Sequence, residues 1–180
     1  MNYQAHRIGG ICAGTVTATY AYQEILGNVS SWNVESFITF GIIMTGSIFG
    51  SLLPDIDHPS SRIGRRMPII SHAVNTAFGH RGFTHSILAL LLLTYGLFLL
   101  TGVIPEFLTG YYLPFSFGLI IGYASHLLLD MITVSGIPLF YPFLNHPIRI
   151  ARFRSGRDDF IVSLLLIALT GAYLYIFGIV

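Results

Sequence analysis

The chain has 180 residues and a formal charge of +1, and all nine of its basic residues are arginine. Hydrophobic residues make up 53% of the sequence and charged residues only 9%, which is too apolar for a soluble domain with a polar surface. The charge balance excludes a broad basic surface for nucleic acid, and the single cysteine excludes an intrachain disulfide. We therefore expect one membrane-embedded domain over residues 1–180.

Five apolar segments are each close to the ~20 residues that a helix needs to cross about 30 Å of hydrocarbon. The first shows no convincing cleavage site, so we interpret it as a retained span and not as a signal peptide. A polar turn at 27–33 separates it from the second. The pattern predicts an all-α, polytopic membrane helix bundle of about five transmembrane helices, over residues 8–26, 34–53, 83–103, 111–131 and 160–180.

Two local patterns add detail to this bundle. Pro68 opens the run PIISHAVNTAFG, whose apolar residues have helical spacing and which ends at Gly79; we expect a short helix at the membrane interface there. Three Gly-x-x-x-Gly pairs lie within the spans, and we expect them to pack one bundle and not to mark a dimer. The pairs are Gly10/Gly14, Gly46/Gly50 and Gly118/Gly122.

The arginines predict how the bundle is oriented. If the N-terminus lies inside, all nine fall on the inner side, in the N-terminal segment and in the loops at 54–82 and 134–158. Arginine concentrated in short loops marks the cytoplasmic side of a membrane. We therefore predict that the N-terminus is inside and the C-terminus outside. The charged residues left on the outer side are Glu24, Glu35 and Glu106.

Histidines and aspartates from four separate segments meet at the inner face under this topology. Such residues beside membrane spans are costly and are interpreted as functional by default. They therefore form a candidate metal site. The residues are His6 before the first span, Asp55, Asp57 and His58 after the second, His80 and His85 at the start of the third, and His126 and Asp130 near the inner end of the fourth.

Two of these groups have ligand-like spacing. His126 and Asp130 are four residues apart on a helix and project from one face, and imidazole with carboxylate suits Zn²⁺ or a similar ion; the alternative is a hydrogen bond that staples the bundle. In Asp55-Ile56-Asp57-His58, two carboxylates and an imidazole can bind one ion or bridge two. The alternative there is a helix-end cluster that binds water or pairs with arginines.

The segment HRGFTHS carries two more histidines. His80 and His85 converge only if the chain bends between them, which Gly82 permits, and Thr84 can cap the third span. Arg81 then points into the same site and can clamp a phosphate. The alternative is a capped helix with solvated histidines.

The quoted motifs resemble a known family. LPDIDHP with the following SSRIGRR, HRGFTHS, and SHLLLDMITVSGIPLFYPF resemble the YdjM-like proteins of bacterial and archaeal inner membranes, which are candidate metal-dependent hydrolases. The resemblance covers most of residues 9–142. The family is distantly similar to zinc-dependent phospholipase C and related nucleases, all-helical enzymes whose zinc ions are held by His and Asp. That similarity implies that His126 and Asp130 match their His-x-x-x-Asp pair and His6 an early ligand; their His-x-x-x-Glu pair has no counterpart here.

These observations lead to one hypothesis for the activity. The protein would be a membrane-embedded, metal-dependent hydrolase that cleaves a phosphoester of a lipid or lipid-linked substrate at the cytoplasmic face. Arg81 and Arg65 would neutralise phosphate charge, although Arg65 can instead simply meet anionic headgroups. One to three divalent ions, zinc first and manganese or iron as alternatives, would be held by His6, Asp55, Asp57, His58, His80, His85, His126 and Asp130.

The alternative class is non-enzymatic: a divalent-metal transporter or a metal-stapled scaffold. A transporter carries its ligands near the middle of the bilayer on broken helices, whereas these ligands cluster at one edge, which favours an enzyme. The expected partners are the lipid bilayer and a lipid phosphoester, with no nucleic acid. The sequence leaves the oligomeric state open.

Overall fold

The computed structural model describes residues 1–26 and 33–177, without the side chains of residues 24–26. Within these ranges the chain forms helices and turns, and its β pairing is limited to two isolated bridges before the last helix. The all-α prediction is confirmed. Most of the predicted turn at 27–33 and the side chain of Glu24 lie outside the described residues. The helices are α1 (Tyr3–Leu26), α2 (Val34–Gly50), α3 (Arg62–Arg66), α4 (Pro68–Phe78), α5 (Ile87–Thr101), α6 (Glu106–Met131) and α7 (Asp159–Ile176).

Three segments of the described chain are long and apolar enough to cross a membrane. They are Val34–Asp57, which joins α2 to the turn after it, α6 and α7. α5 is apolar but has only 15 residues, and α1 has 24 residues but is less apolar than these three segments. The prediction of a membrane helix bundle is therefore supported by three helices, and a total of five spans stays a prediction.

The turn after α2 separates two of the predicted ligands. α2 ends at Gly50, before its predicted end at 53, and the chain then enters a 3₁₀ turn (Pro54–Asp57) that begins with a proline. Proline is well suited to start such a turn and cannot continue a preceding helix. Because a 3₁₀ helix has three residues per turn, Asp55 and Asp57 project about 120° apart and meet different neighbours.

α5 begins at Ile87, later than the predicted start at 83. Its N-cap is Ser86, whose side chain accepts a hydrogen bond from the N–H of Ala89. The predicted capping role of Thr84 is therefore wrong. Thr84 lies instead in a second 3₁₀ turn (Phe83–His85), where its side chain is free to bind elsewhere.

The predicted short helix between the second and third spans is present as α4. It ends at Gly79, which has φ 71°, a left-handed conformation that glycine adopts without steric cost. Ile69 on this helix is 85% exposed, as expected for a helix with an apolar face turned away from the bundle. α3 was not predicted; its N-cap is Ser61, whose side chain accepts a hydrogen bond from Gly64 N–H.

α2 and α6 pack with their backbones in contact. In each helix, two glycines four residues apart face carbonyl oxygens of the other helix, and a Cβ at any of these glycines would overlap the facing backbone. The glycine pairs therefore pack one bundle, as predicted. The contacts join Gly46 and Gly50 to Phe115 and Leu119, Gly118 and Gly122 to Ile43 and Ser47, and Gly10 and Gly14 of α1 to Ser51 and Ser47.

Candidate metal centre

Five of the eight predicted ligands meet at the end of the bundle where α1 begins. They form two overlapping groups of three, and within each group the ligand atoms lie within 4.8 Å of one another. Four of the five side chains are almost completely buried, and Asp55 is partly exposed. The groups are His6, His126 and Asp130, and Asp55, His85 and His126.

The α2–α6 contact orients His126. Its Nδ1 lies 2.7 Å from the carbonyl oxygen of Ser51, just beyond the end of α2. A carbonyl oxygen only accepts hydrogen bonds, so Nδ1 carries the proton and donates it. In the neutral ring the other nitrogen, Nε2, then keeps its lone pair, which is the form that binds metals.

His85 is held in the same way by a carboxylate. Its Nδ1 lies 3.0 Å from an oxygen of Asp57, so this nitrogen is the donor and Nε2 again keeps a lone pair. The two Nε2 atoms of His85 and His126 face each other at 3.2 Å. Two lone pairs repel at this distance unless a proton or a metal ion lies between them. Neighbouring donors of a tetrahedral zinc ion are about 3.3–3.4 Å apart, given Zn–N bonds of about 2.0–2.1 Å.

Two carboxylates complete a set of four donors. One oxygen of Asp130 lies 3.6 Å from Nε2 of His85 and 3.7 Å from Nε2 of His126. An oxygen of Asp55 lies 3.8 Å from Nε2 of His126. Two imidazoles and two carboxylates at these separations fit a divalent ion of the zinc type. The amino group of Met1 also forms an ion pair with Asp130.

His6 adds a fifth donor, and it is fully buried. Its ring is stacked on that of His126, with centroids 3.7 Å apart and planes 10° apart, and its Nε2 lies 3.3 Å from the other oxygen of Asp130. Neither ring nitrogen of His6 has a hydrogen-bond partner within the described part of the chain. A buried polar atom without a partner costs about 1–3 kcal/mol. The arrangement therefore fits a bound ion near Asp130.

Asp57 is buried behind the cluster, and all its partners are hydrogen-bond donors. Through these bonds it orients His85, as the outer carboxylate does in many metal sites. It belongs to neither group of ligand atoms. Its partners are the N–H of Arg81 at 2.8 Å, the hydroxyl of Thr84 at 2.7 Å, and Nδ1 of His80 and of His85, each at 3.0 Å.

His58 and His80 also lie outside both groups. Their rings pack edge to face with centroids 4.6 Å apart, and the side chain of His80 is 41% exposed. Nδ1 of His58 accepts a hydrogen bond from the backbone N–H of Ser60. These two histidines therefore lie at the rim of the cluster and are not among its ligand groups.

Arg81 is held beside the cluster by an unusual backbone conformation. Its φ is 60°, a left-handed conformation that costs a non-glycine residue of order 1–3 kcal/mol and is concentrated at functional sites. One guanidinium nitrogen lies 3.6 Å from Asp130, while its buried Nε has no partner among the described residues. Arg81 therefore keeps hydrogen-bonding capacity for an anionic ligand.

A cavity of 160 Å³ reaches the cluster from outside. Arg65 is exposed on α3 and does not line it, whereas Arg62, three residues earlier, does. The Arg62 guanidinium lies over the ring of Tyr3, 4.2 Å from its centroid. The cavity is lined by Met1, Tyr3, Leu52, Asp55, His58, Ser61, Arg62, Ile63, His80 and Arg81.

Several contributors were not recognised from the sequence. The carbonyl of Ser51 carries no side-chain signal, and the position of Arg62 depends on α3, which the hydrophobic pattern does not reveal. Tyr123 donates a hydrogen bond to the carbonyl of Thr84 and so fixes the turn that carries His85. Its position three residues before His126, on the same face of α6, is a signal that could have identified it.

The fold and the site together define an all-helical membrane protein with a buried histidine–aspartate cluster that can hold a metal ion. Over residues 1–179 the chain matches the YdjM inner membrane protein family. It therefore belongs to this family, which confirms the resemblance to YdjM-like proteins and an inner-membrane location.

Curated relatives agree with this assignment. The inner membrane protein YdjM of Escherichia coli (strain K12) is 45% identical over 102 residues, which cover 56% of this chain and 49% of the relative, and the Shigella flexneri protein gives the same values. The chain thus matches about half the length of these two relatives. The uncharacterized protein YvsG of Bacillus subtilis (strain 168) is 38% identical over 146 residues, covering 79% of this chain and 74% of the relative. No solved structure matches.

Proposed function

We propose that this protein is a metal-dependent hydrolase that cleaves a phosphoester of a lipid or lipid-linked substrate at the cytoplasmic face of the membrane. The observation that carries the proposal is the pair of Nε2 atoms of His85 and His126, 3.2 Å apart. Each ring donates its other nitrogen to an oxygen, so both lone pairs are available to one ion.

His126 can bind only one ion, although it belongs to both groups of ligand atoms. Both groups of ligand atoms include this residue, and its only free nitrogen is Nε2, which can bind a single ion. We assign that ion to His85, His126, Asp130 and Asp55, with zinc as the best match to two imidazoles and two carboxylates. A second ion would have to share the carboxylate of Asp130 with His6.

The chain's own residues supply the remaining chemistry. A bound zinc ion would polarise a phosphoryl oxygen and activate a water molecule. Arg81, with its unpartnered Nε and its guanidinium beside Asp130, would bind the other phosphoryl oxygens and neutralise charge as it develops. Asp57 would keep the ring of His85 in the required tautomer.

The cavity supports an enzyme acting on a headgroup. An enzyme needs an open coordination position, and Asp55 lines the cavity as well as facing His126. The volume of 160 Å³ holds about five water molecules, at about 30 Å³ each in the liquid. A phosphoryl group fits there, while the apolar part of a lipid would stay in the bilayer. The inward orientation rests on the arrangement of the arginines.

The rival is a scaffold stapled by a metal. The complete burial of His85 and His126 favours it, because a structural zinc site is closed and held entirely by protein ligands. A transporter is less consistent with ligands gathered at one end of the bundle.

Elemental analysis and an activity screen on the detergent-purified protein test the proposal together. We expect stoichiometric zinc, manganese or iron in the wild type, loss of that metal in His126→Ala, and retention in the control His72→Ala, an exposed residue of α4. The metal-loaded wild type should hydrolyse a phosphoester lipid in a panel of lipid phosphates and phosphodiesters. Metal without any hydrolysis would favour the scaffold, and a folded wild type that takes up no metal would overturn the site.

A further inference from the structure

The described residues that line the cavity beside the cluster include several hydrogen-bond donors, two of them arginines. Among the described residues, Asp55 is the only carboxylate that lines it, and it faces His126. Arg81 lies at the inner wall, next to Asp130. His58 accepts a hydrogen bond at Nδ1, so its Nε2 carries a proton and is a donor. These donors favour an anionic ligand with several acceptor oxygens.

Arg62 is a further cation of this cavity, besides Arg81 and the amino group of Met1. Its guanidinium lies over the ring of Tyr3, 4.2 Å from the centroid, a cation–π contact that leaves its N–H groups for another partner. Among the described residues it forms no ion pair, unlike Arg81 and Arg157. The stack joins Tyr3 of α1 to Arg62 of α3. Arg62 therefore lines the cavity from α3, whereas Arg81 lines it from the loop that follows α4.

We infer that the substrate carries two adjacent phosphates and is a lipid diphosphate. This inference rests on the proposed function. Arg81 and the metal cluster bind the terminal phosphate, and Arg62 with His58 binds the phosphate that is attached to the lipid. Both Arg62 and Arg81 line the 160 Å³ cavity, and each charged hydrogen bond that forms adds affinity.

The reaction is a hydrolysis that balances with one water. The water oxygen forms a bond to the terminal phosphorus, and the bond from that phosphorus to the bridging oxygen breaks with its electron pair left on the bridging oxygen. The products are the lipid monophosphate and inorganic phosphate, and one proton is released. No oxidant or reductant is needed.

Binding of two non-hydrolysable probes tests the inference separately from activity. The probes are farnesyl methylene-diphosphonate and farnesyl monophosphonate, titrated calorimetrically into detergent-purified protein. We expect the wild type to bind the diphosphonate at least about ten-fold more tightly, the ratio that about 1.4 kcal/mol of extra charged hydrogen bonding produces. Arg62→Gln should reduce the ratio to about two-fold or less. Arg66→Gln, an exposed neighbour on α3 outside the cavity, should keep it.

Two further measurements make the outcome decisive. Metal content is determined after each titration, because diphosphonates bind metal ions and could strip the site. Tyr3→Leu removes the ring under Arg62 and should also lower the ratio. A wild-type ratio near one, or a ratio unchanged in Arg62→Gln, would overturn the inference. Failure of the proposed function would look different: the binding ratio would remain, with no hydrolysis of farnesyl diphosphate, of farnesyl phosphate or of any other lipid phosphoester.

Discussion

Two buried aspartates at the same end of the bundle have opposite surroundings. Around Asp57 every near neighbour is a hydrogen-bond donor, and the carboxylate is fully used. Around Asp130 the neighbours are ring nitrogens that carry lone pairs or lack partners, together with two cations. The first arrangement is complete within the protein, whereas the second offers lone pairs and a carboxylate to a metal ion.

This difference teaches how to tell a supporting carboxylate from a metal ligand. Burial alone does not separate them, because Asp57 and Asp130 are equally inaccessible. The protonation of the neighbouring ring nitrogens separates them. Asp57 faces the protonated Nδ1 of His85, and Asp130 faces its unprotonated Nε2. Variants at and around the two aspartates test this contrast.

Removing Asp57 should damage the fold itself. In Asp57→Ala, four donors lose their shared acceptor, and breaking a buried charged network typically costs 3–5 kcal/mol. We expect the free energy of unfolding to fall by about this amount without metal, and by more with metal because His85 loses the carboxylate that orients it, as measured by denaturant titration in detergent. If the loss disappeared once the metal was chelated, Asp57 would be acting as a ligand and the contrast would fail.

Removing the charge of Asp130 should abolish metal-dependent stability. Binding of an ion at 100 times its dissociation constant stabilises the native state by about 2.7 kcal/mol. A chelator should therefore destabilise the wild type by roughly that amount and leave Asp130→Asn unchanged, as followed by thermal melts. Equal sensitivity to the chelator in both proteins would exclude Asp130 as a ligand.

The Asp130 cluster depends on the α2–α6 contact, while the Asp57 network is local to residues 57–85. In Gly50→Ala, the new Cβ would overlap the backbone of Leu119, and overpacking of this kind costs about 1–3 kcal/mol. Because the carbonyl of Ser51 would shift away from His126, metal affinity should fall about 10–100-fold.

Gly41→Ala is the matched control for this test. It changes the same helix at a position where a Cβ would meet nothing within 4 Å. Unfolding free energy and metal affinity, measured by competition with a chelator, should both stay at wild-type values. A loss of metal affinity as large as that of Gly50→Ala would mean that general helix stability, and not the contact at Ser51, sets the affinity.

The smallest effect is expected for one of the four donors to Asp57. Thr84→Val removes the hydroxyl bond of 2.7 Å and keeps the shape of the side chain, so stability should fall by about 0.5–1.5 kcal/mol. Metal affinity should fall less than in Gly50→Ala, because Nδ1 of His85 keeps its carboxylate. Complete loss of metal in Thr84→Val would show that Asp57 cannot orient His85 without the hydroxyl of Thr84.

Much of the architecture follows from local patterns in the sequence. Apolar segments predict a helical membrane protein, because a backbone enters lipid only when its N–H and C=O groups are hydrogen-bonded within the protein. Gly-x-x-x-Gly spacing predicts the close contact of α2 with α6. The four-residue spacing of His126 and Asp130 puts both on one face of a helix. The sequence alone thus determined the class of the protein and the end of the bundle at which the cluster lies.

The tertiary structure decided the role of each polar residue. Asp55 and Asp57 are two residues apart, and the 3₁₀ turn sends one to His126 and the other to His85. Arg62 lines the cavity and lies over Tyr3, from a helix nearly 60 residues away in the chain, whereas Arg65 does not line the cavity. These assignments depend on which side chains from distant segments share a hydrogen bond, and such contacts form only when the bundle packs.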